Sequence, residues 1–169
     1  MAEFLEGSEE AFAVKMNERA KELGMNNTHF ENSTGLSASG HLSTARDISI
    51  MSRELLKHPT ILNYSSIYME TISEGRKTPI ELVNHNKLVR FYKGCDGLKT
   101  GFTQEAMYCI SSTATRDNVR MLAVIMGAPS FKQRNADASK LMDFGFSKYQ
   151  SKTIVAKDCD VQQIPLNKK

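Results

Sequence analysis

Three alternating segments in the second half of the chain constrain the fold more than any other feature of the sequence. GLKTGFT follows the dipeptide Asp96-Gly97, AMYCISSTATR comes next, and Asp117-Asn118 separates it from VRMLAVIMGA. Alternation of apolar and polar residues is typical of β-strands, and Asp, Asn and Gly are the usual residues of tight turns. The sequence therefore predicts an antiparallel meander of three strands joined by short turns.

Helices are predicted on both sides of this meander. Ser8 is a favourable N-cap for a helix, and MAEFLE before it is also helical in character. Thr44 and Asp47 resemble a capping box at the start of a second helix, which we expect to end at His58-Pro59. Ser130 is the predicted N-cap of a last helix.

A hairpin is predicted between the second helix and the meander. SIYMETI and TPIELVN both alternate, with Glu74-Gly75 as the turn, whereas NNTHFENSTGLSASGHLSTARD reads as a polar connection. The order of helix, helix, hairpin, meander and helix is an α+β pattern, in which an antiparallel sheet is flanked by helices. The length of 169 residues is that of one domain with a short extension.

Composition excludes several function classes. The net charge of +3 is too small to indicate binding to nucleic acid or to a membrane surface. No apolar run approaches the roughly 20 residues of a membrane helix. The first residues, MAEFLE, lack the basic and apolar segments of a signal peptide, so the sequence carries no targeting signal of its own.

Cysteines and histidines give no metal-ligand pattern, and we expect neither a metal nor another cofactor. The odd number of cysteines leaves at least one thiol free, and the sequence leaves their pairing open; they are Cys95, Cys109 and Cys159. Surface or loop roles are expected for the histidines, which are His29, His41, His58 and His85.

The tripeptide Lys99-Thr100-Gly101 is the strongest candidate for a functional site. It places a cation and a hydroxyl group where they could face an anionic substrate. Such a tripeptide also arises by chance, and the alternative interpretation is the exposed start of a strand. Its position on a strand after a turn is, however, the one that this motif occupies in penicillin-binding proteins.

Longer runs carry the resemblance to a family. NHNKLV, GCDGLKTGFTQEAMYCISSTATRDNVRMLAVIMGAPSFKQRNADASKLMDFGF and, upstream, GSEEAFAVKMNERAKELGMNNTHFENSTGL and GHLSTARDISIMSRELL resemble the D-alanyl-D-alanine carboxypeptidases. These are low-molecular-weight penicillin-binding proteins of serine peptidase family S11, and the resemblance covers nearly the whole chain. It implies a β-lactamase/DD-peptidase-like fold. It also implies removal of the terminal D-alanine from peptidoglycan stem peptides through an acyl-enzyme, reaction with β-lactams, and export to the outer face of the cytoplasmic membrane.

The resemblance also implies roles for individual residues. The family uses three motifs around one cleft, Ser-x-x-Lys, Ser-x-Asn and Lys-Thr-Gly. Lys99 matches the third-motif lysine, Thr100 the hydroxyl that binds the substrate carboxylate, and Gly101 the position that leaves room for the substrate backbone. Thr103 would flank the oxyanion hole. Arg134 matches an arginine near the substrate carboxylate, although a solvated residue early in a helix is an equally good interpretation of it.

The first two motifs are missing from the 169 residues. The nearest matches to Ser-x-x-Lys run from Ser43 to Arg46 and from Ser73 to Arg76, and both end in an arginine, which cannot act as a base. We therefore expect a fragment that is inactive alone, with residues 1–150 forming the C-terminal part of the catalytic domain. Residues 151–169 would begin a truncated C-terminal β domain.

Two further expectations depend on this assignment. Residues 120–128 would form an open apolar sheet edge and allow self-association. Residues 84–86, Asn-His-Asn, would order the loop under the Lys-Thr-Gly strand. Two alternative functions remain open: a non-catalytic module that binds peptidoglycan peptides, and a fragment of a related serine β-lactamase.

Overall fold

The computed structural model describes residues 1–75, 77–156 and 158–160. The described helices are α1 (Ala2–Glu6), α2 (Glu9–Glu22), α3 (Ala45–Leu55), α4 (Thr60–Ser65), α5 (Leu88–Phe91) and α6 (Phe131–Lys148). The described strands are β1 (Met69–Ile72), β2 (Ile80–Val83), β3 (Cys95–Thr103), β4 (Met107–Arg116) and β5 (Val119–Ala128). The predicted α+β fold class, with its meander, is confirmed.

The meander forms a three-stranded antiparallel sheet in the order β3-β4-β5. Asp117 and Asn118 have φ angles of 48° and 61°, as a two-residue turn between right-twisted strands requires. The predicted turn at Asp96-Gly97 is wrong, because both residues lie inside β3 and the turn falls three residues earlier, at Lys93 and Gly94. Gly97 is needed for close packing instead, since a Cβ there would lie 2.6 Å from the hydroxyl oxygen of Ser65.

Helix α6 packs against β4 and β5 and covers the buried core on one face of the sheet. Ser130 caps it as predicted, with its hydroxyl accepting from the backbone N–H of Gln133 at 3.1 Å. The buried cluster under this helix consists of Leu88, Tyr92, Cys95, Ile110, Ala114, Ala123, Ala138 and Met142. Helix α3 contacts β4 and β5.

A polar latch joins α6 to the sheet. The guanidinium of Arg116 lies 4.4 Å from the ring centre of Tyr92 and 4.5 Å from that of Phe146. Asp143 accepts hydrogen bonds from the Tyr92 hydroxyl at 2.6 Å and from Arg116 at 3.2 Å. Burial, together with this bond to Asp143, raises the pKa of Tyr92.

The N-terminal helices confirm their predicted caps. Ser8 accepts from the backbone N–H of Ala11, and Thr44 accepts from that of Asp47, each at 3.1 Å. The reciprocal half of the capping box does not form. The buried carboxylate of Asp47 instead accepts from the backbone N–H of Asn27, at 2.8 Å, and so ties the polar connection to α3.

The segments between α3 and β3 hold both confirmed and missed elements. Helix α3 ends before His58-Pro59 as expected, but the short helices α4 and α5 were not predicted. The predicted hairpin is confirmed, with Met69 opposite Val83 and Ile72 opposite Ile80. All eight residues of β1 and β2 are exposed.

The described residues after α6 do not test the predicted division into two domains at residue 150, which stays a prediction. Residues 151–156 and 158–160 form no strand, and the remainder of the predicted β segment lies outside the described residues. None of the described helices is long and apolar enough to cross a membrane.

Candidate active site

A cleft of about 990 Å³ opens beside β3 and brings together all the site residues predicted from sequence. Its walls are formed by the loop 33–36, by His85 and Lys87 before α5, by strand β3, by the start of β4 and by the first turn of α6. The residues that line it are Ser33, Thr34, Gly35, Leu36, Met51, His85, Lys87, Lys99, Thr100, Gly101, Phe102, Thr103, Ala106, Tyr108, Cys109, Phe131 and Arg134.

The Lys-Thr-Gly strand presents a free cation to this cleft. The exposed Lys99 ammonium donates a hydrogen bond to the backbone carbonyl of Thr100, and no carboxylate of the described residues forms an ion pair with it. A Cβ added at Gly101 would meet no atom within 4 Å. Packing within the chain therefore does not require this glycine, and a side chain there would project into the cleft.

Arg134 is buried, so its interpretation as a solvated helix residue is wrong. Only 5% of the residue is exposed, and it lies in the first turn of α6. Its Nε and Nη2 donate to the amide oxygen of Asn135 at 3.1 and 2.9 Å, and it has no carboxylate partner among the described residues. Burial lowers the pKa of the guanidinium, which the nearby Cys109 and Tyr108 partly oppose. A buried cation without a counter-ion favours an anionic ligand.

The loop below β3 is ordered by its asparagines, as predicted for residues 84–86. Asn86 is 1% exposed and its Nδ2 donates to the carbonyl of Gly97 at 3.0 Å, while its Oδ1 accepts from the N–H of Leu88 at 3.1 Å. The side-chain oxygen of Asn84 accepts from the N–H of Asn86 at 2.8 Å. These bonds fix the strand immediately before Lys99.

The loop 33–36, which forms the roof of the cleft, was not predicted as part of the site. The sequence indicated only a polar connection in this region. The hydroxyl of Ser33 donates to the Glu9 carboxylate of α2 at 2.9 Å, and that of Ser37 donates to the carboxylate of Glu105. The bond from Ser37 lowers the pKa of Glu105. Together these two carboxylates hold Leu36 over the cleft. No short motif marks such contacts, because the partners lie 24 and 68 residues apart.

A buried pair of serines was also missed. The hydroxyls of Ser52 on α3 and Ser111 on β4 are 2.7 Å apart, and Ser111 lies directly opposite Lys99 in the sheet. Neither hydroxyl is activated. No serine hydroxyl in the described part of the chain is hydrogen-bonded to a lysine or histidine, as a nucleophile would be. The described site can bind an anion but holds no assembled nucleophile.

Acidic, cysteine and histidine side chains do not form a metal centre here. Within residues 1–75, 77–156 and 158–160, no three or more of them are grouped so that they could hold a metal ion. The charged side chains that line the cleft include the cations of Lys87, Lys99 and Arg134 and no carboxylate among the described residues.

An antiparallel sheet between helices, with Lys-Thr-Gly on a strand beside a cationic cleft, defines the class of β-lactamase and DD-peptidase-like folds. Comparisons with known proteins agree. A solved D-alanyl-D-alanine carboxypeptidase DacD from Francisella tularensis superposes with a TM-score of 0.79 at 26% identity, covering 86% of this chain and 47% of that chain. Penicillin-binding protein D2 from Listeria monocytogenes, solved in its cefotaxime-bound form, gives 0.76 at 36% identity, with 86% and 58% covered.

The family model for D-alanyl-D-alanine carboxypeptidases (Peptidase_S11) matches residues 1–130, and the chain belongs to this family. D-alanyl-D-alanine carboxypeptidase DacF of Bacillus subtilis (strain 168) is 45% identical over 168 residues, which cover 99% of this chain and 43% of the relative. The chain thus spans about two fifths of the length of this curated relative.

Proposed function

We propose that this chain forms the substrate-carboxylate side of the active site of a serine-type D-Ala-D-Ala carboxypeptidase, which removes the terminal D-alanine from peptidoglycan stem peptides. One observation carries the proposal. In a chain of the carboxypeptidase family, Lys99, Thr100 and Gly101 line the same cleft as Arg134, a buried guanidinium with no carboxylate partner in the described residues. The family match favours this function over that of a serine β-lactamase.

Each of these residues has a distinct role in the proposal. Arg134 binds the substrate carboxylate through its planar fork, and the Thr100 hydroxyl donates a hydrogen bond to the same group. Lys99 supplies positive charge to the middle of the cleft, and Gly101 lets the peptide backbone lie against the edge of β3. Thr103 lies at the end of this strand and flanks the oxyanion hole.

The covalent steps need groups outside these 169 residues. A serine hydroxyl attacks the carbonyl carbon of the penultimate D-alanine, the terminal D-alanine leaves with a proton, and water then hydrolyses the acyl-enzyme. The sequence contains no Ser-x-x-Lys and no Ser-x-Asn to perform them. We expect this chain alone to release no D-alanine and to form no adduct with benzylpenicillin. An intact mass increased by one penicillin would contradict this.

The partners and the location follow from the same proposal. Peptidoglycan stem peptides are the substrates, and β-lactams bind because they mimic their D-Ala-D-Ala ends. The cefotaxime-bound relative supports this second partner. Such an enzyme acts at the outer face of the cytoplasmic membrane, where peptidoglycan is assembled. No nucleic-acid partner is proposed.

Self-association through residues 120–128 is a further part of the proposal. β5 is an edge strand of the described sheet, and Val124, Ile125 and Met126 line an apolar cavity of about 420 Å³ beside it. Such an edge offers unpaired backbone groups to a second copy. Sedimentation should show concentration-dependent dimers that Met126→Lys weakens. A monomer at every concentration would contradict this.

The carboxylate subsite can be tested by NMR titration of the ¹⁵N-labelled chain with N-acetyl-D-Ala-D-Ala and with its C-terminal amide. We expect shifts at residues 99–103 and in the first turn of α6. The amide should bind at least about tenfold more weakly, because it lacks the charge that pairs with Arg134.

Two variants make this test specific. Arg134→Gln should remove the preference for the acid over the amide. Arg53→Gln, an exposed arginine on α3, is the matched control and should leave the preference unchanged. Equal affinity for acid and amide, or shifts outside the cleft, would contradict the assigned subsite.

A further inference from the structure

Cys109 lies in an irregular part of β4, in the wall of the cleft. It pairs with Gly101 of β3, but the register between β4 and β5 shifts between Tyr108 and Ile110, so the pairing with β5 skips Cys109. The thiol is half-buried and lines the cleft, and its Sγ donates a weak hydrogen bond to the backbone carbonyl of Ala106 at 3.2 Å. A bulge of this kind re-aims a side chain out of the regular alternation of a strand.

The cleft leaves room for a ligand beside this thiol. Paired residues on neighbouring strands project to the same face of a sheet. A Cβ added at Gly101, the partner of Cys109, would meet no atom within 4 Å. Cys95 differs, because it is buried, with its Sγ 3.4 Å from the hydroxyl oxygen of Ser112. The space beside Cys109 is therefore open to a reagent that enters the cleft, whereas Cys95 is enclosed.

The charged groups around Cys109 are positive. Cys109 lies close enough to Arg134 to influence the pKa of its guanidinium. Arg134 is 5% exposed, and its Nη1 has no hydrogen-bond partner among the described residues, although this nitrogen is accessible to solvent. Lys87 and Lys99 line the same cleft, and no carboxylate of the described residues does. Because positive charge in a cleft raises the local concentration of anions, a reagent that carries carboxylates is favoured at this thiol over one that carries amines.

We propose that Cys109 is a modification site, where a small disulfide that carries carboxylates forms a mixed disulfide and Arg134 binds one of those carboxylates. The proton of the thiol passes to water, and the thiolate of Cys109 attacks one sulfur of the reagent. The sulfur–sulfur bond of the reagent breaks, a new one forms to Cys109, and the other half leaves as a thiolate that takes up a proton. The inference goes beyond the proposed function, because it needs neither a D-Ala-D-Ala ligand nor a serine nucleophile.

The test measures thiol–disulfide exchange in the full 169-residue chain with oxidised glutathione, which has a net negative charge, and with cystamine, which carries two amines. Mass spectrometry of the intact chain and of its peptides gives the rate at each cysteine. Each rate is divided by that of the same cysteine in the urea-unfolded chain, which removes the intrinsic difference between the reagents. After this correction Cys109 should prefer oxidised glutathione by at least about tenfold, the lower end of electrostatic effects on association rates.

The other two cysteines are controls within the same molecule. Cys159 is exposed and stands between Asp158 and Asp160 in the sequence, so it should show no preference for oxidised glutathione. Cys95 is buried and should stay unmodified by both reagents in the folded chain. A preference for oxidised glutathione at Cys159 as large as that at Cys109 would show that the cleft does not select the reagent.

Substitutions of the cations assign the preference to the cleft. Arg134→Gln should lower the preference of Cys109 for oxidised glutathione by at least about threefold, because it removes the nearest positive charge. Lys99→Gln, at an exposed position where the fold is not at risk, should lower it as well. Lys152→Gln is the matched control, because Lys152 is exposed but does not line the cleft, and it should leave the preference unchanged.

NMR of the modified chain locates the bound group. Glutathione attached to Cys109 should shift the amide signals of the first turn of α6, which belongs to a different element, and dithiothreitol should restore them. Shifts confined to β4 and its strand neighbours would overturn the contact with Arg134.

The outcomes separate this inference from the proposed function. Equal corrected rates for the two reagents at Cys109, or a preference that both Arg134→Gln and Lys99→Gln leave unchanged, would overturn the modification site. Neither result touches the carboxypeptidase proposal, which does not use Cys109. Equal binding of the peptide acid and its amide would contradict the carboxylate subsite for peptides, while the reagent preference at Cys109 would still stand on its own measurement.

Discussion

The meander and the β1–β2 hairpin are both antiparallel and both alternate in sequence, yet they differ in burial and in their contacts with helices. Five consecutive residues of β4, from Ile110 to Ala114, are buried, whereas all eight hairpin residues are exposed. Helix α6 covers one face of the meander and α3 lies against the other, while the hairpin lacks such helical cover in the described residues. The two regions differ in burial because helices cover only the meander, and not because their sequence patterns differ.

The difference explains where the site can form. Lys99 is exposed, but its strand neighbour is the buried β4, and the loop before it is fixed by Asn86. Rigid support of this kind holds a binding group in position without spending binding energy on ordering it. The hairpin offers apolar side chains such as Ile72 and Leu82 but no comparable support.

The largest expected effect contrasts the two regions directly. Met142→Ala, which empties a fully buried position under the meander, should lower the free energy of unfolding by about 2–5 kcal/mol. Leu82→Ala in the hairpin, at a 48% exposed position, should change it by less than about 0.5 kcal/mol. Urea unfolding followed by circular dichroism measures both. Equal losses of unfolding free energy in the two variants would show that the hairpin is packed as firmly as the meander.

A smaller effect concerns the polar latch between α6 and the meander. Tyr92→Phe removes the hydroxyl that donates to Asp143, and should cost about 1 kcal/mol of unfolding free energy. Tyr149→Phe, at a 67% exposed position, is the matched control. A latch variant as stable as this control would show that the bond to Asp143 contributes nothing.

The smallest effect is a pH dependence from the buried thiol under the meander. Burial, first of all, raises the pKa of Cys95 above its ordinary value of 9.0. Because the folded state holds this proton more tightly, the thiol stabilises the fold below pH 9 and that contribution is lost as pH rises through its raised pKa. Between pH 8 and 11, the urea midpoint should fall further for the native chain than for Cys95→Ala.

The exposed Cys159 supplies the control for this pH dependence. Cys159→Ala should follow the native chain through the whole pH range. If Cys95→Ala also follows it, the buried thiol makes no contribution of the expected kind.

Much of the fold could be predicted because its signals are local. The caps at Ser8, Thr44 and Ser130 and the Asp117-Asn118 turn need only neighbouring residues. Gly97 was misread because a glycine after aspartate suggests a turn, while its actual role depends on a serine 32 residues earlier in the chain.

The candidate site was predictable in part for the same reason. Lys99-Thr100-Gly101 is a contiguous motif on a strand, so its placement in the cleft could be expected. The burial of Arg134 could not, because it depends on how α6 packs beside Tyr108 and Cys109. The placement of Leu36 beside the cleft likewise arises from contacts between distant segments.

The most direct test of the central claim is a chimera in which this chain replaces the matching 43% of the Bacillus subtilis relative. We expect the chimera to release D-alanine from N-acetyl-D-Ala-D-Ala peptides and to be acylated by benzylpenicillin. We also expect Lys99→Ala to lower kcat/KM by about 10²–10³-fold, as for other groups that stabilise developing charge, and Lys152→Ala to leave it unchanged. A chimera that folds like the relative but shows neither reaction, or one that is insensitive to Lys99→Ala, would show that this chain does not form the substrate-binding side of a carboxypeptidase site.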